Sequence, residues 1–241
     1  MSIDLPRLPV AVLLSGGLDS GILVGHLLRE GYRVYALYVR SGLRWEGAEL
    51  RAVRRLLGEL SGRFSGFERL VVLRLPLADL YEDHWSITGS QAPDANSPDQ
   101  AVYLPGRNAL LLVKPAYWCQ MHGIEQLALG VLGTSPFADA TAEFFDAFQS
   151  AVNRGALRPV RLIRPFAALT KREVMQLGRD LPLGHTFSCI APSRGLHCGQ
   201  CNKCAERQQA FRSIGAVDPT VYAQPPAHVR SGRASPWPDN V

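Results

Sequence analysis

A glycine pair flanked by hydroxyl side chains lies near the start of the chain, in the segment Ser15-Gly16-Gly17-Leu18-Asp19-Ser20. Two adjacent residues without a Cβ let the backbone turn tightly and present consecutive N–H groups to an anion, and a following helix adds the positive end of its dipole. Ser15 and Ser20 supply further donors, and Asp19 could hold a Mg²⁺ ion that is bound to phosphates. The pattern predicts a phosphate-binding loop.

The loop lacks the lysine of the usual P-loop, which ends in Gly-Lys-Ser/Thr and uses that lysine to reach the β- and γ-phosphates. We therefore expect cleavage elsewhere on the triphosphate. An ordinary Ser-Gly turn is the alternative. The context argues against it, because an apolar strand at 10–14, a helix at 21–30 and a second strand at 34–39 complete a βαβ unit.

Four of the five cysteines form the second chemical signal, and three of them lie in Cys-Gly-Gln-Cys-Asn-Lys-Cys. The four are Cys189, Cys198, Cys201 and Cys204. Four thiolates at this spacing can surround a tetrahedral Zn²⁺, and they would leave no position for water, so we expect a structural metal. An iron–sulfur cluster is the competing interpretation. Disulfides fit poorly, because the number of cysteines is odd and no secretory segment is visible.

Two other residues of metal-binding type, His197 and Cys119, have simpler interpretations. His197 could replace a cysteine as a ligand, but with four thiols available we expect it beside the metal site or exposed. Cys119 stands alone in an apolar stretch, and we expect it to be buried in the core.

Predicted strands and helices alternate along the chain. The fold that they form must position both the phosphate-binding loop and the four cysteines. The predicted strands lie at 10–14, 34–39, 69–75, 126–131 and 160–165, and the predicted helices at 21–30, 48–60, 108–122, 141–154 and 170–178. The alternation predicts an α/β fold, a doubly wound, mostly parallel Rossmann-like sheet with the nucleotide at the carboxyl ends of its strands. Pro115 should kink or break the helix at 108–122. We expect the irregular segment 79–103 to be a lid or a disordered loop.

The composition suits one globular domain with a small appendage. The chain has 241 residues, 46% of them hydrophobic, and a net charge of +5 that suits either nucleotide phosphates or RNA. The sequence contains no basic motif with interleaved aromatic residues, so the question whether the protein binds nucleic acid stays open. No apolar run approaches the ~20 residues that span a bilayer, so we expect a cytoplasmic protein.

We expect 1–185 to bind nucleotide, 186–222 to form a zinc-binding module and 223–241 to be a flexible tail.

The loop resembles the pyrophosphate loop, or PP-loop, of the ATP pyrophosphatases, which split ATP between the α- and β-phosphates and transfer AMP to a substrate oxygen. With the cysteines at the other end, the chain resembles the 7-cyano-7-deazaguanine synthase family of queuosine biosynthesis. The likeness also covers residues 104–108, 169–173, 188–189 and 215–220. It implies the adenine nucleotide alpha hydrolase variant of the predicted fold.

The resemblance also implies an activity. ATP would activate the carboxylate of 7-carboxy-7-deazaguanine, ammonia would convert it to an amide, and a second activation would dehydrate the amide to a nitrile. The enzyme would be an ATP-dependent carbon–nitrogen ligase that uses ATP, Mg²⁺ and structural Zn²⁺, and the family implies a homodimer.

Site residues follow from the loop and from this likeness. We expect Ser15, Gly16, Gly17, Asp19 and Ser20 to bind pyrophosphate and its Mg²⁺, while Leu14 and Leu18 shape the turn and Tyr38 lies near adenine. Arg107 and Lys171 are candidates for neutralising charge on the α-phosphate, because the P-loop lysine is missing. A surface salt bridge is the alternative for both. Asp139 is a weaker candidate for the substrate site, and no general base stands out.

The chain departs from the family pattern where the acceptor should bind. The family's Gly-Gln-Arg-His is Gly42-Leu43-Arg44-Trp45 here, and we expect Leu43, Trp45, Gly133 and Thr141 to line the acceptor pocket. Two alternatives therefore stay open. One is the same ATP chemistry on another acceptor, such as another deazapurine, an RNA base or a partner protein; the other is a noncatalytic zinc module that binds nucleotide or RNA.

Overall fold

The protein is described by a computed structural model that covers residues 8–226. Within this range five strands form one sheet in which every neighbouring pair is parallel, in the order β3-β2-β1-β4-β5. The strands are β1 (Pro9–Leu13), β2 (Arg33–Arg40), β3 (Phe67–Arg74), β4 (Gln126–Leu129) and β5 (Arg161–Ile163). The helices are α1 (Leu18–Arg29), α2 (Glu46–Arg63), α3 (Ala78–Tyr81), α4 (Trp85–Thr88), α5 (Arg107–His122), α6 (Ala142–Asn153), α7 (Lys171–Leu177) and α8 (Asn202–Ser213). Most of the predicted tail, 227–241, lies outside the described residues.

The sheet is covered by helices on both faces, which confirms the doubly wound prediction. Val10 and Val12 of β1 pack into a core cluster with α1, α2, α7 and α8, whereas Ala11 packs into a second cluster with α5 and α6. Parallel strands buried in this way need apolar residues on both faces, which the sequence of β1 provides. Cys119 lies in the second cluster as predicted, and burial raises the pKa of its thiol to about 12.

The direction of winding reverses between β1 and β4. From β1 the chain proceeds to β2 and β3 on one side, and β4 and β5 extend the sheet on the other. The segments that follow β1 and β4 therefore diverge and leave a crevice at the carboxyl ends of these strands. In open α/β sheets this is where ligands bind.

Helix α5 continues through Pro115 from Arg107 to His122, so the proline does not break it. A proline removes one helical hydrogen bond. The apolar face of α5, with Leu112, Ala116 and Cys119 buried in the core, holds the helix against the sheet on both sides of that position. Among residues 8–226, no helix combines the length and the apolar character that crossing a bilayer requires.

The irregular segment 79–103 is ordered and packs against the cysteine-rich end of the chain. Ala95 N–H donates to the Gln200 carbonyl at 2.8 Å, and Asn202 N–H donates to the Pro93 carbonyl at 3.0 Å. The Asn202 side chain adds a bond to the Ser97 carbonyl at 2.8 Å. The expectation of a disordered loop is therefore wrong, because backbone groups of the segment find partners about 100 residues later in the chain.

Candidate active site and metal centre

The PP-loop connects β1 to α1 at the crevice. Gly16 has φ +80°, in the left-handed region, and a Cβ at this position would lie 2.6 Å from Cγ of Glu49. A glycine is therefore required both by the turn and by the close approach of α2. Gly17 is the N-cap of α1, and no side chain caps the helix there. The first N–H groups of α1 thus have no competing side-chain acceptor, which is the arrangement that binds anions.

The other loop residues shape this turn. Ser15 N–H donates to Ser20 Oγ at 3.2 Å, and the two hydroxyls lie 3.1 Å apart. Leu14 and Leu18 are buried in the core on either side of the glycines. That Leu14 and Leu18 shape the turn stays a prediction.

Gly130, the residue after β4, contacts the loop from the other side of the crevice. A Cβ on Gly130 would lie 3.0 Å from the backbone nitrogen of Ser20 and 3.1 Å from the carbonyl carbon of Asp19. These are backbone atoms, which cannot move aside as the end of a flexible side chain can. The sequence alone does not reveal Gly130 as part of the site, because its constraint comes from a segment 110 residues earlier.

Two adjoining cavities meet at the loop. The first is lined by Leu14, Tyr38 and Val39 and by the ends of β4 and α5, and the second by Lys171, Phe187, Ser188 and Ile190 with part of α8. Six residues line both cavities: Ser15, Gly17, Asp19, Trp45, Glu49 and Arg107. The structure therefore brings Tyr38, Arg107 and Lys171 to the PP-loop, and their roles toward adenine and the α-phosphate stay predictions.

Lys171 forms a buried ion pair with the loop. Its Nζ lies 2.7 and 2.8 Å from the two carboxylate oxygens of Asp19 and 3.6 Å from Glu206 Oε1, and the Lys171 side chain is only 4% exposed. Burial acts to lower the pKa of Lys171, but the two carboxylates outweigh it and the pKa is raised. Lys171 is positioned by the capping box that the sequence predicts, with Thr170 and Glu173 exchanging hydrogen bonds at the start of α7. The alternative of a surface salt bridge is therefore wrong for Lys171.

Arg107 is the first residue of α5 and enters both cavities. Its Nε atom is buried and, within the described part of the chain, has no hydrogen-bond partner. Buried donors are almost always paired, so this one suits an anionic ligand. Asp139 fixes this end of α5, because its Oδ2 accepts the Asn108 N–H at 3.1 Å and its carbonyl accepts the Asn108 side chain at 2.8 Å. Asp139 thus holds the helix that carries Arg107.

Glu49, which the sequence analysis missed, lies between the loop, β2 and α5. The Tyr38 hydroxyl donates to its Oε2 at 2.6 Å. Burial raises the pKa of Glu49 to about 7, although the Tyr38 hydrogen bond and the Arg107 charge act to lower it. The available signal was a pair of acidic residues, Glu46 and Glu49, in the first turn of the helix that follows β2.

The expected acceptor pocket is only partly found. Leu43 and Trp45 line the cavities. Gly133 instead packs against the Ala167 carbonyl, which a Cβ would approach to 2.2 Å. Thr141 caps α6 by accepting the Phe144 N–H at 3.2 Å. Gly133 and Thr141 therefore serve the packing of this region and do not line either cavity.

The four predicted cysteines form one cluster with all Sγ atoms within 4.8 Å of one another. Two of the pairs, Cys198 with Cys204 and Cys189 with Cys201, lie 3.8 Å apart. A tetrahedral ion with metal–sulfur bonds of about 2.3 Å requires sulfur atoms about 3.8 Å apart, so the donor set fits a single ion. The N–H groups of Gln200 and Cys201 both point to Cys198 Sγ at 3.3 Å, as suits a thiolate.

His197 is buried beside the cluster but is not part of it. Its Nε2 accepts the Ser188 N–H at 3.1 Å, and its ring packs 4.3 Å from the Phe187 ring. Burial lowers the pKa of His197 to about 3, so the ring is neutral. The position agrees with the expectation that His197 is not a ligand.

The cysteine module is attached directly to the PP-loop and to the sheet. Phe187 N–H donates to the Gly16 carbonyl at 2.7 Å. Arg207 of α8 is buried and donates to the Thr186 hydroxyl at 2.7 Å, to the Leu183 carbonyl at 2.8 Å and to the Thr220 hydroxyl at 2.5 Å. The segment 183–187, α8 and the chain after α8 are thus held together through one cation.

Comparison with known proteins agrees with this geometry. The family model described as "Queuosine biosynthesis protein QueC" matches residues 9–215. The chain is 31% identical to the 7-cyano-7-deazaguanine synthase of Chlorobium luteolum, over 90% of this chain and 98% of that protein. It is 32% identical to the synthase of the same name from Methanospirillum hungatei, over 87% of this chain and 97% of that protein. The chain therefore belongs to the QueC family of queuosine biosynthesis proteins.

Proposed function

We propose that this protein is a 7-cyano-7-deazaguanine synthase, an ATP-dependent ligase that converts 7-carboxy-7-deazaguanine and ammonia to the nitrile. The observation that carries the proposal is the shared wall of the two cavities, since Ser15, Gly17, Asp19 and Arg107 line both. A nucleotide in one cavity and an acceptor in the other would meet at this wall. The curated relatives bear the name of this activity.

In the proposed reaction a carboxylate oxygen attacks the α-phosphorus, and pyrophosphate leaves toward the PP-loop. The first-turn N–H groups of α1 with Ser15 and Ser20 bind the pyrophosphate, and Arg107 neutralises charge on the α-phosphate. Tyr38 and Val39 line the cavity where adenine would bind. Ammonia then displaces AMP to give the amide, and a second ATP activates the amide oxygen for loss as AMP.

Asp19 and Lys171 would exchange partners when the nucleotide binds. Asp19 is fully engaged by Lys171 in the structure, so a Mg²⁺ ion at Asp19 would have to compete with the Lys171 ammonium. Mg²⁺ would supply charge neutralisation of the phosphates. A Lys171 released from Asp19 would keep Glu206 as its counter-ion and could turn toward the α-phosphate.

We propose that the cysteine cluster holds one structural Zn²⁺ through Cys189, Cys198, Cys201 and Cys204. Support comes from the compact arrangement of the four sulfur atoms, because an iron–sulfur cluster binds its cysteines through separate iron atoms and spreads them farther apart. We expect about one zinc ion per chain and a colourless protein after anaerobic purification. A brown preparation with stoichiometric iron would contradict the zinc assignment.

We further propose that residues 1–185 bind the nucleotide and 186–222 hold the metal, and that the enzyme works as a homodimer in the cytoplasm. Light scattering on the purified chain tests the dimer: a monomer mass at micromolar concentration contradicts it. Limited proteolysis of protein that has lost its metal tests the boundary, because cleavage should begin beyond residue 185.

The proposed activity is tested by mass spectrometry of products from ATP, ammonium and 7-carboxy-7-deazaguanine. We expect the nitrile, with two AMP released for each nitrile formed. Omitting ammonium should stop product formation but leave a single round of pyrophosphate release. If ATP is not consumed with this acid, or if AMP appears without amide or nitrile when ammonium is present, the proposal is wrong.

A further inference from the structure

Glu49 stands apart from the other acidic side chains at the site. Within the described residues, the remaining acidic groups that line the two cavities are held by cationic side chains. Asp19 is paired with Lys171 at 2.7 Å, Glu46 with Arg40 at 2.7 Å, and Glu206 with Lys203 at 2.6 Å. The cationic partners stabilise the ionised carboxylates. In Glu206 burial acts against this, yet Lys203 and Lys171 lower its pKa to about 2. Glu49 bonds to a neutral hydroxyl instead, that of Tyr38.

The position of Glu49 is fixed on three sides. Its side chain lies against Gly16, where only a glycine leaves room for it, and the Tyr38 hydroxyl orients one of its carboxylate oxygens at 2.6 Å. The positive charge of Arg107, at the start of α5, attracts the Glu49 carboxylate and acts to lower its pKa. Glu49 lines both cavities and so faces the place where the α-phosphate and the acceptor would meet.

We propose that the Glu49 carboxylate is the general base that removes a proton from nitrogen in both the amide-forming and the nitrile-forming steps. This inference rests on the proposed function. In the first step an ammonium ion gives one proton to Glu49, its nitrogen forms the C–N bond, the C–O bond to AMP breaks, and a second proton passes to water. In the second step the activated amide nitrogen gives one proton to Glu49 and one to water, while the C–O bond to AMP breaks and the nitrile forms.

The charged and titratable groups around Glu49 suit this task. Tyr38 faces it from β2, Glu46 from its own helix, Arg107 from α5 and Asp19 from the loop. The raised pKa of about 7 matches the optimum for a base that works near neutral pH. Between the two steps Glu49 returns its proton to water through the second cavity.

The test separates activation from nitrogen chemistry in the Glu49→Gln variant of the full chain. Gln keeps the volume and can still accept the Tyr38 hydrogen bond. With saturating ATP, acid and ammonium, we expect formation of amide and nitrile to fall by about 100-fold or more, whereas the burst of pyrophosphate release should fall far less. Glu59→Gln, on the exposed side of the same helix, is the matched control and should behave as wild type.

The pH profile gives a second readout. We expect nitrile formation by the wild type to lose activity below an apparent pKa near 7, and Glu49→Gln to lack this limb. Tyr38→Phe removes a hydrogen bond that lowers the pKa of Glu49, so its limb should move to higher pH. Equal losses of pyrophosphate release and nitrile formation in Glu49→Gln, or an unchanged limb, would overturn the role of Glu49. A wild type that releases no pyrophosphate with this acid would instead contradict the proposed function.

Discussion

The PP-loop end of the sheet and the cysteine module use their buried arginines in opposite ways. At the loop, α1 has no side-chain cap and Arg107 Nε has no partner in the described part of the chain. In the module, the buried Arg207 bonds to three acceptors and His197 accepts a backbone N–H. At Arg107 the first region keeps hydrogen-bonding capacity for a ligand, whereas at Arg207 and His197 the second uses it to hold its own segments together.

This difference predicts which measurement each region should affect. Substitutions at the loop remove groups that we propose to contact bound substrates, so they should lower turnover more than stability. Substitutions in the module break interactions present in the folded protein itself, so they should lower stability first.

The largest effect is expected for Asp19→Asn at the loop. The substitution removes the carboxylate that we propose for Mg²⁺ and that now neutralises Lys171, so AMP formation should fall by about a thousandfold or more while the chain stays folded. Asp180→Asn is the control, because that carboxylate pairs with Arg29 at the exposed surface. Turnover near that of the wild type would remove Asp19 from the mechanism.

Arg207→Met should show the opposite behaviour. It leaves Thr186, the Leu183 carbonyl and Asp218 without their buried cation, and breaking a buried pair of this kind costs about 3–5 kcal/mol of unfolding free energy. Urea unfolding measures the change. Arg212→Met, at an exposed position on the same helix, should change stability by less than about 1 kcal/mol. Equal effects of the two variants would mean that Arg207 does not hold the module.

Arg107→Lys tests whether Arg107 serves ligand binding or packing at the loop. Lysine keeps a positive charge but loses the planar guanidinium and its Nε donor, so the rate of AMP formation should fall roughly a hundredfold. The melting temperature should change little, because Arg107 Nε has no partner to lose. Arg172→Lys, exposed on α7, is the control. A lower melting temperature with unchanged turnover would assign Arg107 to packing.

The smallest expected effect is a gain in stability in Glu49→Gln, which depends on pH. Burial raises the pKa of Glu49 from 4.5 to about 7, so between these values the folded protein holds a proton that the unfolded chain releases. The free energy of unfolding of the wild type therefore falls as the pH rises through this window, whereas that of the Glu49→Gln variant does not. We expect the variant to be more stable at pH 8 by on the order of 2 kcal/mol and nearly equal at pH 4.5. Denaturant titrations of both proteins at the two pH values measure this difference. A variant that is less stable than the wild type at pH 8 would contradict the prediction.

The features that could be predicted from the sequence are those that depend on residues close together in the chain. The alternation of strands and helices, the PP-loop and the cysteine cluster all follow from short-range spacing, and all are found. The partnership of Asp19 with Lys171 joins residues 152 positions apart, and the Tyr38–Glu49 bond joins two different elements. Pairings of this kind depend on how elements pack, so the sequence analysis could name Lys171 but not its partner, and it missed Glu49.

The bond from Phe187 N–H to the Gly16 carbonyl would couple a metal ion at the cysteine cluster to a nucleotide at the PP-loop. Phe187 lies two residues before Cys189, so a metal ion that orders this segment also orders the loop that would receive pyrophosphate. Linkage is reciprocal: if the metal tightens nucleotide binding, the nucleotide must tighten metal binding by the same factor. Saturating ATP should therefore slow the loss of metal to a chelator, and protein depleted of metal during storage will resemble a variant with a damaged nucleotide site.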